Sequence, residues 1–191
     1  MQSTLASEMC AAISRALDSI PFDQRRDVYA LSFYISYYRI DSQVPSLIVG
    51  YNTNQQWRDS IADASSSDEA KWNYAFWLQN ELWATGQGEW ADRIEAWLRT
   101  LGLWHTAEEE DTDFDRDLEP AGKIDESFVA LVCDVAAKLH ETGTIVAVFG
   151  RPVPIIVHEL EYYDAIADQT ARANPPGLAD EFVSWVWRGC P

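Results

Sequence analysis

Eight carboxylates and one arginine lie between Glu108 and Glu119 in the stretch HTAEEEDTDFDRDLEP. Such a run could serve as a metal loop, as a hydrated linker, or as an acidic surface offered to a basic partner. Asp111, Asp113, Asp115 and Asp117 alternate as calcium ligands do, with Glu119 in the ninth place of such a loop. A calcium loop also needs glycine at its sixth position for the sharp turn and a bidentate glutamate at its twelfth. Arg116 and Gly122 stand there instead, so no calcium site is expected. Zinc fares no better. HELEYYD begins at His158 like a metalloprotease helix, but the second histidine, four residues on, is replaced by Tyr162. With His105, His140 and His158 the only histidines, a zinc site would need distant residues to converge. A strand-end imidazole with a local hydrogen bond is the simpler expectation.

Nucleophile elbows, phosphate-binding P-loops and dinucleotide fingerprints are all absent in their familiar forms. Carboxylate pairs such as Glu159 with Glu161 are common here, and spacing alone does not turn one into an acid/base couple. The sequence therefore assigns no catalytic residue, cofactor or metal. What it does assign is charge. The formal net charge is −17, of which Glu108 to Glu119 supplies −7, leaving −10 over the rest of the chain. Such a field repels nucleic acid and anionic membranes and draws in basic proteins. The residues expected to meet a basic partner are Glu108, Glu109, Glu110, Asp111, Asp113, Asp115, Asp117 and Glu119, with Trp104 and Phe114 as apolar anchors at the border, because interface hot spots favour aromatic side chains. An inert solvated loop is the competing reading of the same stretch.

The elements that must position these residues follow from periodicity. Leu5, Met9, Ala12, Ile13, Ala16, Leu17 and Ile20 repeat at helical spacing, with Ser3 or Thr4 to cap the start and Pro21 to stop the helix. DVYALSFYISYY and VPSLIVGY, rich in β-branched and aromatic residues, predict a first hairpin. A short helix follows within 52–64, and Ser65 to Asp68 read as a loop and N-cap. Phe76, Trp83, Trp90, Trp97 and Trp104 recur every seven residues, and Gly86 and Gly88 suggest two helices meeting. This stripe could be an aromatic ligand platform or a dimer face, although large aromatics at helical spacing mostly pack into a core. Ile124 to Leu139 predict an amphipathic helix closed by Gly143. TIVAVF and VPIIVHEL predict a second hairpin, with Pro154 marking an edge strand because proline cannot donate to a ladder. Helices over about 159–173 and around Leu178 to Val186 complete the chain. The expected fold is one α+β domain, with a largely antiparallel sheet built from two hairpins and covered by helices. Three cysteines without C-x-x-C spacing, and the absence of a basic leader or a continuous apolar span, fit a cytoplasmic protein.

The order of these features resembles the bacterial domain-of-unknown-function family DUF4303. The resemblance rests on a first strand of the type YALSFYIS, a second strand running into Asn52 and Thr53 in VGYNTN, and Lys71, Trp72 and Trp77 in KWNYAFW. It covers most of the chain. Tyr74 and Phe76 stand where the family has a proline and an acidic residue. No activity comes with the resemblance; what it implies is a role like that of the immunity proteins encoded beside bacterial toxins. An enzyme with an unfamiliar site remains the alternative, to be recognised by a concave pocket with convergent polar side chains of perturbed ionisation, and a structural or adaptor protein dimerising through the tryptophan-rich helices is the third.

Overall fold

The computed structural model of the protein describes residues 2–37, 44–104 and 118–190. Helix α1 (Gln2–Asp18) is followed by a single turn, α2 (Phe22–Arg25), after Pro21. Strands β1 (Val28–Ser36) and β2 (Ser46–Thr53) then pair antiparallel, as the hairpin pattern requires. Thr53 caps α3 (Asn54–Ser60) by accepting from the Gln56 N–H, and Ser66 caps α4 (Ser67–Trp72) through the Glu69 N–H. A 3-10 turn at Tyr74–Phe76 leads to the two-residue β3 (Trp83–Ala84), and α5 spans Gly88–Thr100. The remaining elements are α6 (Leu118–Glu141), α7 (Thr144–Phe149), β4 (Ile155–His158), α8 (Asp164–Ala173) and α9 (Asp180–Trp187).

The four strands form one sheet in the order β3-β2-β1-β4, within a single α+β domain. Its outer pairings differ in sense: β3 runs antiparallel to β2, whereas β4 runs parallel to β1. Alternation divides the strand residues between two cores. Leu31, Phe33 and Ile35 face the larger one, under α1, α5 and α6, while Ala30 faces a smaller, aromatic one with Ile156, Trp72, Trp77, Phe182 and Trp185. A register shift between Val28 and Ala30 puts Val28 and Leu31 on the same side despite their odd spacing.

Two expectations fail. The second hairpin does not form, because Thr144–Phe149 is a helix, and β4 instead joins β1 in parallel. The reason lies in the packing of α6. Gly143, at φ 74°, takes the left-handed turn that ends it, and the chain turns at once into α7. Ile145 and Phe149, four apart, are then buried together while Val146 is exposed. An i, i+4 burial pattern outweighs the strand preference of four β-branched residues. The tryptophan heptads likewise do not lie on two helices. Phe76 ends the 3-10 turn and Trp83 opens β3, leaving Trp90 and Trp97 on α5, where Ile94, Trp97 and Leu98 are buried in the larger core.

Side chains extend the hydrogen bonding of the sheet past the short β3 on one flank and along β4 on the other. Asn80 hydrogen-bonds to both the N–H and the carbonyl of Tyr51, and its backbone passes so near Gly50 that an added Cβ would lie 2.4 Å from its oxygen. At the opposite edge, α8 serves β4. The Ile155 N–H donates to Asn174 Oδ1 at 2.8 Å, and Asn174 Nδ2 returns a bond to the Ile155 carbonyl at 2.7 Å. Thr170 Oγ1 accepts from the Val157 N–H, and both Thr170 and Gln169 donate to the Val157 carbonyl. Pro154 immediately precedes this edge strand. The helix thus takes the place of a fifth strand. Asn174→Ala should lower stability in urea by roughly 2–3 kcal/mol, since it strands a buried N–H and a buried carbonyl, while Gln169→Leu, which leaves the Val157 carbonyl its Thr170 bond, should cost less.

Candidate functional site

Because β1 and β4 are parallel neighbours, both chains leave the sheet at the same end, where a crevice between diverging connections is the usual place for a ligand. Tyr37 follows β1 and Glu159 follows β4. Beside them α6 contributes Asp125 and Val129, and α8 contributes Asp168 and Arg172, enclosing a cleft of about 700 Å³. A second hollow of about 270 Å³ shares Tyr37, Glu159 and Tyr163 with it. A third, of about 500 Å³, lies toward Val186 and Cys190 and is also lined by Tyr163. The turn between β4 and α8 therefore stands as a ridge among three hollows, with Leu160 62% and Tyr163 48% exposed.

Glu159 is the best-positioned acid in this region. Its Oε1 accepts from the Tyr37 hydroxyl at 3.3 Å and its Oε2 from the Tyr163 hydroxyl at 3.0 Å, so the plane of the carboxylate is fixed from both sides. Burial, followed by the Glu159 charge, pushes the Tyr163 hydroxyl up to about 12 and the Tyr37 hydroxyl higher still, which keeps both as donors. Asp125 has no such support. Half-burial first, and the Glu159 charge second, push its carboxyl up to about 6. Arg172, the one cation on the cleft wall, makes no ion pair with Asp125 or Glu159 among the described residues, and the neighbouring Cys133 thiol donates to the Gln169 carbonyl.

Beneath Glu159 the backbone is anchored by His158. This imidazole is fully buried, with Nδ1 2.9 Å from the Glu159 carbonyl and Nε2 2.8 Å from Ser32 Oγ. A carbonyl can only accept, so Nδ1 carries the proton and Nε2 accepts from the serine. Tyr34, Tyr74, Trp77 and Tyr162 surround the ring, with centroids 4.8–6.1 Å away. Burial holds the His158 pKa down to about 4. His158 closes a strand and spends both nitrogens locally, as the simpler sequence reading expected. Among the described residues, no group of three or more histidine, cysteine, aspartate or glutamate side chains is arranged to hold a metal ion.

The residues that carry the family resemblance meet nearby, on the aromatic face of the sheet. Tyr29 donates its hydroxyl proton to the Lys71 carbonyl, which also accepts from Trp77 Nε1 at 2.8 Å. Asn52 donates to Tyr29 at 2.9 Å and accepts from the Leu78 N–H. The Lys71 ammonium sits over Trp57 and Trp72, at 4.9 and 4.8 Å from their ring centroids, and pairs with Glu181 at 2.5 Å. These bonds join α4 and the following turn to the sheet. They are scaffold, and none of these residues lines the three hollows described above.

Of the residues expected at a partner surface, Glu108, Glu109, Glu110, Asp111, Asp113, Phe114, Asp115 and Asp117 lie outside the described residues, and Glu119 lies in the first turn of α6. Trp104 is half-buried against the larger core with the Arg99 guanidinium 5.2 Å from its ring centroid, so it has intramolecular partners already. Asp125, Tyr37 and Tyr163 went unnoticed in the sequence, where no short spacing joins them. Glu159 was visible only as one of a pair with Glu161. No family model, curated protein sequence or solved structure matches the chain.

The two perturbed groups give opposite pH dependences. An acid raised from an ordinary value of 3.8 to about 6 favours folding at low pH, and that contribution is lost as pH rises through 6. Asp125→Asn should therefore stabilise the protein at pH 7 by on the order of 1 kcal/mol, after discounting for solvent screening, and have almost no effect at pH 4. His158, lowered from 6.5 to about 4, contributes stability that is complete above pH 6.5 and disappears as pH falls through 4. His158→Gln should be less stable at pH 7 and should flatten the dependence between pH 6.5 and 4 by about 3 kcal/mol. Urea unfolding across that pH range measures both effects.

Proposed function

We propose that this chain is an acidic binding protein that neutralises a basic protein partner by covering its cationic surface, in the manner of a bacterial immunity protein acting on a toxin. The observation that carries this reading is the cleft at the ends of β1 and β4, in which Asp125, Glu126, Glu159 and Asp168 face a single cation, Arg172. A net charge of −17 adds a long-range field of the same sign, and the exposed Leu160 and Tyr163 supply an apolar ridge between the hollows. Toxins that act on nucleic acid must hold phosphate in cationic clefts, so they are the partners this charge distribution suits best. The resemblance to DUF4303 points to the same role, exercised in the cytoplasm.

Acid–base catalysis is the second reading, and one observation favours it. Asp125, with a proton affinity near neutrality, shares a cleft with a carboxylate held as an acceptor by two tyrosines, and carboxyl pairs with divergent environments divide acid and base roles in hydrolases. That reading requires turnover of a small substrate, abolished by Asp125→Asn.

The test is a partner captured by pull-down or supplied by the adjacent gene, with association rates measured across ionic strength. Replacing Glu109, Asp111, Asp113 and Asp115 by their amides should slow association on the order of tenfold at low salt and less at high salt. Glu159→Gln should act chiefly on the dissociation rate. Rates and salt slopes unchanged in both variants would remove the electrostatic account.

A further inference from the structure

Three features could do more than the architecture asks of them. The Ser32–His158 pair has the atoms of a nucleophile and its base, but both residues are buried, with aromatic rings around the imidazole, and neither lines any of the three hollows described above. Lys71 lies between two indoles with its charge paired to Glu181, so it is spent. The cleft beside Glu159 remains, and it has a shape, a charge and a chemistry of wall that together specify an occupant.

Resting on the basic-partner reading above, we infer that this cleft is a guanidinium seat, taking one arginine side chain of the partner against the Glu159 carboxylate while the partner's backbone lies along the Leu160–Tyr163 ridge. The cleft volume of about 700 Å³ exceeds what one side chain fills, leaving room for the flanking residues of a segment. Three observations select arginine over other cations. The first is orientation. With the Tyr37 and Tyr163 hydroxyls bound to opposite oxygens, Glu159 presents a carboxylate of fixed plane, the geometry that a planar two-pronged donor matches and a point-like ammonium does not exploit. The second is hydration. Tyr37, Val129 and Tyr163 bring two rings and an aliphatic side chain to a lining otherwise made largely of polar and charged groups, and a guanidinium, which stacks on rings and gives up its weakly held water at less cost than an ammonium, suits such a mixed wall better. The third is charge balance. Asp125 sits half-buried beside Glu159, and among the described residues no hydrogen-bond donor or ion-pair partner is recorded for it. Arg172, the resident cation, closes no ion pair with either acid among the described residues. An entering guanidinium relieves the repulsion between Asp125 and Glu159 that the fold leaves uncompensated.

The occupant is an arginine of a protein segment rather than a free metal ion, because two of the three hollows bracket an exposed apolar ridge that a bare ion would leave uncovered. Arginine also leads in interface hot spots, where a buried aromatic rim excludes water from the charge pair.

Two short capped peptides test this without the partner in hand: acetyl-Leu-Arg-Leu-amide and acetyl-Leu-Lys-Leu-amide, titrated separately into the isotopically labelled protein and followed by backbone amide shifts. The arginine peptide should give saturable shifts centred on Asp125, Glu159, Leu160 and Tyr163, at least fivefold tighter than the lysine peptide. Glu159→Gln should weaken it at least tenfold. The double variant Tyr37→Phe, Tyr163→Phe should narrow the preference for arginine over lysine while leaving lysine binding nearly unchanged, which a merely structural role for the hydroxyls would not do. Urea unfolding of each variant verifies that the fold is kept. Equal affinity for the two peptides, or arginine binding undiminished by Glu159→Gln, overturns the inference, as does a calcium titration that produces the same shifts more strongly. Failure here with the salt-dependent partner association intact would leave the basic-partner reading standing and remove only the guanidinium seat. Success here with no salt-dependent association would do the reverse.

Discussion

Strand β4 is held from both sides, by β1 through parallel backbone pairing and by α8 through Gln169, Thr170 and Asn174, and most of the architecture that matters for function follows from that double constraint. A strand with a free edge would invite a further strand or another chain. Here the helix fills the edge hydrogen bonds with side chains, so it must lie directly alongside, and the connection from β4 to α8 must turn within the five residues Glu159 to Tyr163. That tight connection is the ridge, and the space between it, the end of β1 and α6 is the cleft.

The anchoring reaches the carboxylate through one residue. His158 is packed among four aromatic rings and spends its Nδ1 proton on the carbonyl of Glu159, fixing the backbone from which the acid projects. Two tyrosine hydroxyls then fix the acid itself. Rigid support of this kind is what a binding site needs if a charged group is to be met in one orientation, since little side-chain freedom remains to be lost on association. The carboxylate left without such support, Asp125, is the one whose proton affinity rises.

Much of the scaffold could be read from residue patterns, and the failures have a common cause. Helix α1 and the first hairpin follow from local periodicity, and Gly143 was recognised as a helix end. Thr144 to Phe149 misleads because four β-branched residues in a short run satisfy a strand as well as a helix, and only the position of the α6 surface decides between them. The pattern predicts a helix over about 159–173, whereas the helix begins at Asp164 and leaves Glu159 to Tyr163 as a connection. The site depends on that difference. Its four central residues come from three separate parts of the fold, Tyr37 after β1, Asp125 on α6, and Glu159 with Tyr163 on the connection after β4, and only the last two are joined by a short spacing. Most of the acidic run, 108–117, lies outside the described residues, whereas of the convergent carboxylates only Glu159 belongs to a pair that the sequence singles out, one that is ordinary in so acidic a chain.

The central claim is that the cleft bounded by Asp125, Glu159 and Tyr163 is where a basic partner docks. Amide hydrogen exchange of the complex with a captured partner addresses it most directly, because protection reports the covered backbone without any substitution. The account predicts slowed exchange at 159–166 and around 125–129 on partner binding, with little change at α3 and α4. Protection confined to α3, α4 or the exposed end of α9 near Trp187, with 159–166 exchanging as in the free protein, would contradict it.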